Sequence, residues 1–254
     1  MTRERLDVAL VRRGLASSRA QAKRLIITQQ VVIVGGTSPR PSSVVASETV
    51  IQVIGTQRRW VSRGAEKLIA ALEAFPIEVT GKWVLDVGAS TGGFTEVALE
   101  AGASRVVALD VGQGQLHERL SADSRVVSIE KTNIRTLNAE QIGGPFPVVV
   151  VDLSFISLRV VAGSLAAVAA DGADLIILIK PQFEVGRGGL GHGGIVRDPA
   201  IRARAVAGAI DCLVVEGLGA RGLIRSPIDG GDGNVEYLLW LRKGEESLKM
   251  EVPV

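Results

Sequence analysis

From about residue 64 onward, apolar residues in this 254-residue chain fall into short unbroken runs separated by segments with helical spacing. Runs at 83–87, 105–109, 126–129, 148–151 and 175–179 are followed by helix-compatible stretches at 94–101, 115–121, 139–142, 158–169 and 199–216. A further helical segment, 64–75, with Leu68, Ile69, Ala71 and Leu72 on one side, precedes the first run. Strands without polar alternation are buried on both faces, so this order predicts an α/β fold with a mostly parallel sheet between helices. Two late runs, 220–226 and 237–241, are joined only by residues 227–236. That connection is too short for a helical crossover, and the last strand is expected to run antiparallel.

The first 55 or so residues have a different pattern. Residues 3–14 carry Leu6, Leu10 and Val11 at helical spacing and stop at Gly14; Ser17 or Ser18 then caps a second helix over 19–28. Strand-like runs at 31–34 and 49–54 flank a Gly35-Gly36 turn and a polar stretch with Pro39 and Pro41. Charge separates this end from the rest. Residues 1–63 hold 11 Lys/Arg against 3 acids, a net +8 hidden within an overall +2. A basic end on a balanced chain points to a polyanionic partner, nucleic acid first. Arg5, Arg19, Lys23 and Arg24, then Arg58, Arg59 and Arg63 around Trp60, are the candidate RNA contacts, with Trp60 placed either for stacking or for packing.

Composition removes several classes. No apolar run reaches the roughly 18–20 residues of a membrane span, and the start lacks a signal-peptide core. A single cysteine, Cys212, excludes an internal disulfide framework, and with only His117 and His192 a zinc centre is not expected. These features suit a cytoplasmic protein with no membrane partner and no metal.

Candidate chemistry sits at the strand ends, where ligands bind in such sheets. The run 83–87 ends in Asp86 and enters the loop Gly88-Ala89-Ser90-Thr91-Gly92-Gly93-Phe94, whose glycines allow a tight turn and close backbone approach to a ligand. Asp110, ending the second run, is placed to accept hydrogen bonds from both hydroxyls of an adenosine ribose, a device shared by nicotinamide and S-adenosylmethionine sites. Asn133 and Ile134 end the third and suit the adenine. Asp152 and Lys180 end the fourth and fifth. After the fourth run stands Asp152-Leu153-Ser154-Phe155 rather than the Asn/Asp-Pro-Pro-aromatic loop of amino-group methyltransferases, and Cys212 lies in a helical segment, away from the strand ends, so an oxygen acceptor is favoured.

The order Arg5-Leu6-Asp7, Gly14, Arg19, Ala22-Lys23-Arg24-Leu25-Ile26 and Val31 resembles the RNA-binding fold of ribosomal protein S4. The segments Ser62-Arg63-Gly64-Ala65, Asp86 to Phe94, Asp152-Leu153-Ser154-Phe155, Lys180-Pro181-Gln182-Phe183-Glu184 and Gly233-Asn234-Val235-Glu236 resemble the TlyA family, which joins that module to an FtsJ-like methyltransferase domain. The resemblance implies a Rossmann-like seven-stranded methyltransferase sheet behind a small α+β RNA-binding domain. It divides the chain into an RNA-binding domain at 1–57, a linker at 58–63 and a methyltransferase domain at 64–254. It also implies S-adenosylmethionine as cofactor, ribosomal RNA or ribosomal subunits as partner, and 2′-O-methylation of cytidine. The family's Lys-Asp-Lys-Glu set falls on Lys67, Asp152, Lys180 and Glu236. Lys180, beside a second cation and partly desolvated, is the candidate base; Asp152 orients it, and Glu236 positions Lys67 or the ribose. Arg187, in the glycine-rich stretch 186–194, could reach phosphate. Three rivals remain: a nicotinamide oxidoreductase, a non-catalytic RNA-binding or ribosome-assembly factor, and a membrane-active haemolysin, a label the family has carried.

Overall fold

The computed structural model describes residues 3–16, 18–27, 30–34, 39–53, 60–186, 190–191 and 193–253. The Gly35-Gly36 turn, Ser17, Arg58, Arg59, Arg187 and His192 lie outside them. Two compact units divide the chain, Met1–Arg59 and Trp60–Val254.

In the first unit, β1 (Arg3–Arg5), α1 (Leu6–Arg12), α2 (Arg19–Ile27), β2 (Val31–Ile33), β3 (Val44–Ala46) and β4 (Ile51–Val53) follow in order. Two antiparallel ribbons form, β1 with β3 and β2 with β4. Leu6, Leu10, Ala22, Ile26, Val31, Val45 and Ile51 share one core. Helix α1 begins at Leu6, not at residue 3 as the periodicity predicts. Arg3-Glu4-Arg5 offers no apolar face to a helix, and an extended Arg5 backbone lets the triplet pair with Val44–Ala46. Ser18 starts α2 as expected, its Oγ accepting the Gln21 N–H.

The second unit is built on a seven-stranded sheet in the order β10-β11-β9-β8-β5-β6-β7. The strands are β5 (Trp83–Val87), β6 (Arg105–Leu109), β7 (Val126–Ile129), β8 (Phe146–Val151), β9 (Ala169–Ile179), β10 (Leu218–Arg225) and β11 (Tyr237–Lys243), and the helices are α3 (Ala65–Ala74), α4 (Gly93–Glu100), α5 (Glu118–Ser121), α6 (Leu158–Val168) and α7 (Pro199–Val215). All neighbours are parallel except β11, which runs antiparallel to both β9 and β10, as the short connection requires. Strand parity divides the core. Odd positions such as Leu85, Val107, Val149 and Ile177 pack with α6 and α7, and even positions such as Val84, Val106, Val148 and Ile176 pack with α3 and α4. Both faces are therefore apolar, which is why the runs show no alternation. β9 begins six residues before the predicted run. Asp171-Gly172 reads as a turn, but Gly172 adopts φ +73 and the pairing with β8 passes through a register shift.

β5 lies centrally, with β6 on one side and β8 on the other, so the loops after β5 and β8 meet at the switch point of the sheet. Asp86 is an even position of β5 and faces α4, where Thr95 Oγ1 donates to its Oδ2 at 2.6 Å. Its side chain is fully buried, and Oδ1 has no hydrogen-bond partner. Burial pushes the carboxyl up to about 7, against the lowering by Thr95, with the charges of Asp152 and Asp110 adding to the rise.

That shift has a signed consequence for stability. The unfolded carboxyl ionises near 3.8. As pH rises through 3.8 the unfolded chain loses its proton while the folded chain keeps it, so stability falls up to about pH 7 and levels off above. Asp86→Asn cannot ionise and is expected to gain on wild type between pH 5 and pH 8 by on the order of 5 °C in Tm. A Tm difference that is identical at the two pH values contradicts this assignment.

Candidate active site

A cavity of about 490 Å³ opens at the carboxyl ends of β5, β6 and β8 and against the loop after β7, with Gly88, Ser90, Asp110, Asn133, Ile134 and Asp152 among its lining residues. A smaller one of about 220 Å³ adjoins it, lined by Ser62, Arg63, Gly64, Lys67 and the loop residues Gly88, Ala89, Ser90, Thr91, Gly93 and Phe94. Gly88, Ser90 and Asp152 border both. Among the expected cofactor residues, Asp86 and Gly92 line neither. Asp86 is turned beneath the loop toward Thr95, and Gly92 is the left-handed N-cap of α4.

Gly88 must be glycine for two reasons. Its φ is +89, and a Cβ there would lie 2.4 Å from the backbone oxygen of Asp152. The close approach sets the loop after β5 directly on the loop after β8, and Asp152 N donates to Val87 O at 3.0 Å on the same seam. Asp110 is held by its neighbours: Oδ2 accepts Ser90 N at 2.8 Å and Oδ1 accepts Gly112 N at 2.7 Å. A carboxylate offers about four lone-pair positions. Two are used here, which leaves acceptor capacity for a ribose diol in the cavity that Asp110 lines. Asn133 Oδ1 accepts Arg135 N at 3.0 Å and caps a short 3₁₀ turn, leaving its amide N–H groups available to a base.

The four residues of the expected set form two ion pairs. Lys67, from the first turns of α3, and Glu236, just before β11, are both buried, and Lys67 Nζ meets Glu236 Oε2 at 2.5 Å. Lys180, at the end of β9, has its Nζ 2.6 Å from Asp152 Oδ1. Lys67 and Asp152 share the smaller cavity, so the two ion pairs meet across it. A buried ion pair is a poor source of stability because desolvation cancels most of the attraction, and it is retained for what it orients. Of the four, Lys67 lines the smaller cavity and Asp152 borders both, while Lys180 and Glu236 stand behind them as their ion-pair partners.

Residues outside the expected site set also shape the cavities. Ser154 Oγ accepts from Lys180 Nζ at 2.8 Å. Gln115, Thr132, Leu153, Phe155 and Ile156 line the larger cavity, and Ser62 the smaller. Leu153, Ser154, Phe155 and Ser62 stand within the quoted motifs, whereas nothing in the sequence marks Gln115. Trp60 is half-buried and packs on the α3/α4 core, whereas Arg63 is exposed.

In the first unit, Asp7 is wholly buried and pairs with Arg5 and with Arg19, each at 3.0 Å, leaving those two side chains 48% and 58% exposed. Its carboxyl is lowered to about 2, chiefly by the Arg5 hydrogen bond. Lys23 and Arg24 are exposed on α2. Arg12 and Arg13 serve the fold instead, Arg12 pairing with Glu4 and Arg13 donating to the carbonyls of Ala46, Ser47 and Thr49.

Comparison with known proteins agrees with this geometry. Residues 60–243 match the FtsJ-like methyltransferase family and residues 4–37 the S4 domain. The chain is 52% identical to the 16S/23S rRNA (cytidine-2′-O)-methyltransferase TlyA of Mycobacterium tuberculosis, over 94% of this chain and 90% of that protein. It is 39% identical to hemolysin A of Brachyspira hyodysenteriae, over 92% of this chain and 98% of that protein. A solved structure from Streptococcus thermophilus, named for a hemolysin, superposes with a TM-score of 0.77 at 39% identity, covering 97% of this chain and 90% of that one. An S-adenosylmethionine dependent methyltransferase from Mesorhizobium loti shares the fold alone, with a TM-score of 0.53 at 16% identity over 71% of this chain and 99% of that one. Among the described residues no helix is long and apolar enough to cross a membrane. The chain belongs to the FtsJ-like methyltransferase family, in the TlyA group whose members join that domain to an S4 domain.

Proposed function

We propose that this protein methylates the 2′-oxygen of cytidine in ribosomal RNA, acting on ribosomal subunits in the cytoplasm with S-adenosylmethionine as donor. The observation that carries the reading is the paired cluster Glu236–Lys67 and Asp152–Lys180 at the junction of the two cavities. The strong identity to a cytidine-2′-O-methyltransferase supports the choice of acceptor. In this reading the unit up to Arg59 binds RNA and the unit from Trp60 catalyses, with Trp60 packed on its core and Ser62 and Arg63 lining its smaller cavity.

The lining fits the donor. Asp110 keeps lone pairs for a ribose diol, Asn133 and Ile134 stand for the adenine, and Gly88 gives backbone access beside Asp152. Bound there, the cofactor supplies a methyl group on a sulfonium, whose carbon–sulfur electron pair stays on sulfur. What the chain must add is position and a route for one proton. Lys180 Nζ accepts the proton from the 2′-oxygen as the new oxygen–carbon bond forms, and Asp152, which borders both cavities, holds that amine. Glu236 fixes Lys67, which directs its charge toward the same hydroxyl. In the first unit Asp7 holds Arg5 and Arg19 in place, and these, with Lys23 and Arg24, are its RNA contacts; Arg58 and Arg59, and in the second unit Arg63 and Arg187, are further candidates.

Lys180→Ala is expected to lower methyl transfer to undermethylated ribosomal subunits by about 100-fold or more, with cofactor affinity by calorimetry within threefold of wild type; an unimpaired rate contradicts the assignment. Gly88→Ala should weaken cofactor binding more than tenfold, because the added Cβ meets a backbone oxygen that cannot move aside; unchanged affinity would be inconsistent with that clash. For the basic unit, Arg19→Ala with Lys23→Ala should weaken RNA binding and flatten its dependence on salt concentration, by about one unit of slope for each phosphate no longer neutralised. A weaker complex with an unaltered salt slope would place these cations away from phosphate.

A further inference from the structure

A lysine that receives a proton must present its lone pair to the donor while its own N–H bonds point elsewhere. Lys180 has two neighbours that can set this direction, Asp152 Oδ1 at 2.6 Å and Ser154 Oγ at 2.8 Å. They do not act alike. Nζ donates to Ser154 Oγ and forms a close ion pair with Asp152 Oδ1. Asp152 contributes charge as well as direction, whereas the neutral Ser154 contributes direction alone.

The segment carrying Ser154 is fastened to the segment carrying Lys180 at several points. Phe155 adopts φ +63, a left-handed conformation that bulky residues rarely adopt, with its side chain largely exposed. Its ring meets Phe183 at 5.3 Å between centroids. Glu184 accepts from Ser157 Oγ at 2.7 Å and from Leu158 N at 2.8 Å, so a carboxylate from the loop after β9 caps the helix that follows the loop after β8. Every one of these contacts joins residues 152–158 to residues 180–184, and the Ser154–Lys180 hydrogen bond lies inside that frame.

We propose that Ser154 is a positioning residue for the transfer, its hydroxyl accepting one N–H of Lys180 so that the amine's lone pair faces the 2′-hydroxyl. A neutral amine on Cε has three staggered positions, two hydrogens and one lone pair. With one hydrogen on Ser154 and the second drawn toward the Asp152 carboxylate, the third position is left for the lone pair. The proton leaving the 2′-oxygen then becomes the third N–H of Nζ, while the oxygen–carbon bond forms and the carbon–sulfur bond breaks. This inference rests on Lys180 acting as the base in the function proposed above.

The test uses the full-length protein, undermethylated ribosomal subunits and radiolabelled S-adenosylmethionine. Ser154→Ala is expected to lower kcat about tenfold, while KM for the cofactor and its calorimetric Kd stay within twofold of wild type. Ser154→Thr keeps the hydroxyl and should recover kcat to within about threefold of wild type. A Ser154→Ala protein with wild-type kcat overturns the proposal. So does a loss that appears in cofactor Kd, which would make Ser154 a wall of the cavity only, or a Thr variant as slow as the Ala variant. Failure of the wild-type protein to methylate RNA would instead overturn the methyltransferase reading on which the proposal stands.

Discussion

The close approach of Gly88 to the backbone oxygen of Asp152 is the constraint on which the site depends. It needs a left-handed backbone and no side chain, and only glycine supplies both without strain. Because β5 and β8 are neighbours at the switch point, this approach brings the glycine-rich loop onto the strand end that carries Asp152. Asp152 then borders both cavities, one bearing Asp110 and Asn133 and the other Lys67. Without it the larger cavity and the ion pairs would be separate features of one sheet.

Around this seam the unit uses buried polar groups sparingly. Asp86 is buried with one unpartnered oxygen and gives its other oxygen to Thr95, anchoring α4 and the loop ahead of it. Lys67 and Glu236 are buried as a pair, and Lys180 is held by Asp152 and Ser154. Each group costs desolvation and gives orientation in return. The S4 unit applies the same principle to a surface, since the buried Asp7 carboxylate fixes two arginines that remain half exposed.

Much of this was legible in the residues. Unbroken apolar runs such as Val148 to Val151 reveal a strand covered on both faces, and the ten residues between the last two strands dictate an antiparallel finish. The ion-pair cluster was approachable through the family resemblance; Asp152 and Lys180 also follow strand ends, whereas Glu236 precedes β11 and Lys67 lies in the first turn of α3. Other features leave no pattern. A three-residue strand such as Arg3–Arg5 is defined by its partner, not by its own periodicity. The early part of β9 hides behind Asp171-Gly172, a pair that reads as a turn but is absorbed as a bulge. Asp86 lies inside β5, two register positions short of Asp110, so its side chain stays between the sheet and α4 and does not reach the cavity. Ser154 acquires its role only when two loops distant in sequence are brought together.

The central claim is tested most directly by mapping ribose methylation on ribosomal RNA from cells that carry the protein and from cells that lack it. The account predicts at least one 2′-O-methylcytidine present in the first and absent in the second, restored when the wild-type protein is supplied. Identical methylation maps in the two strains would contradict it.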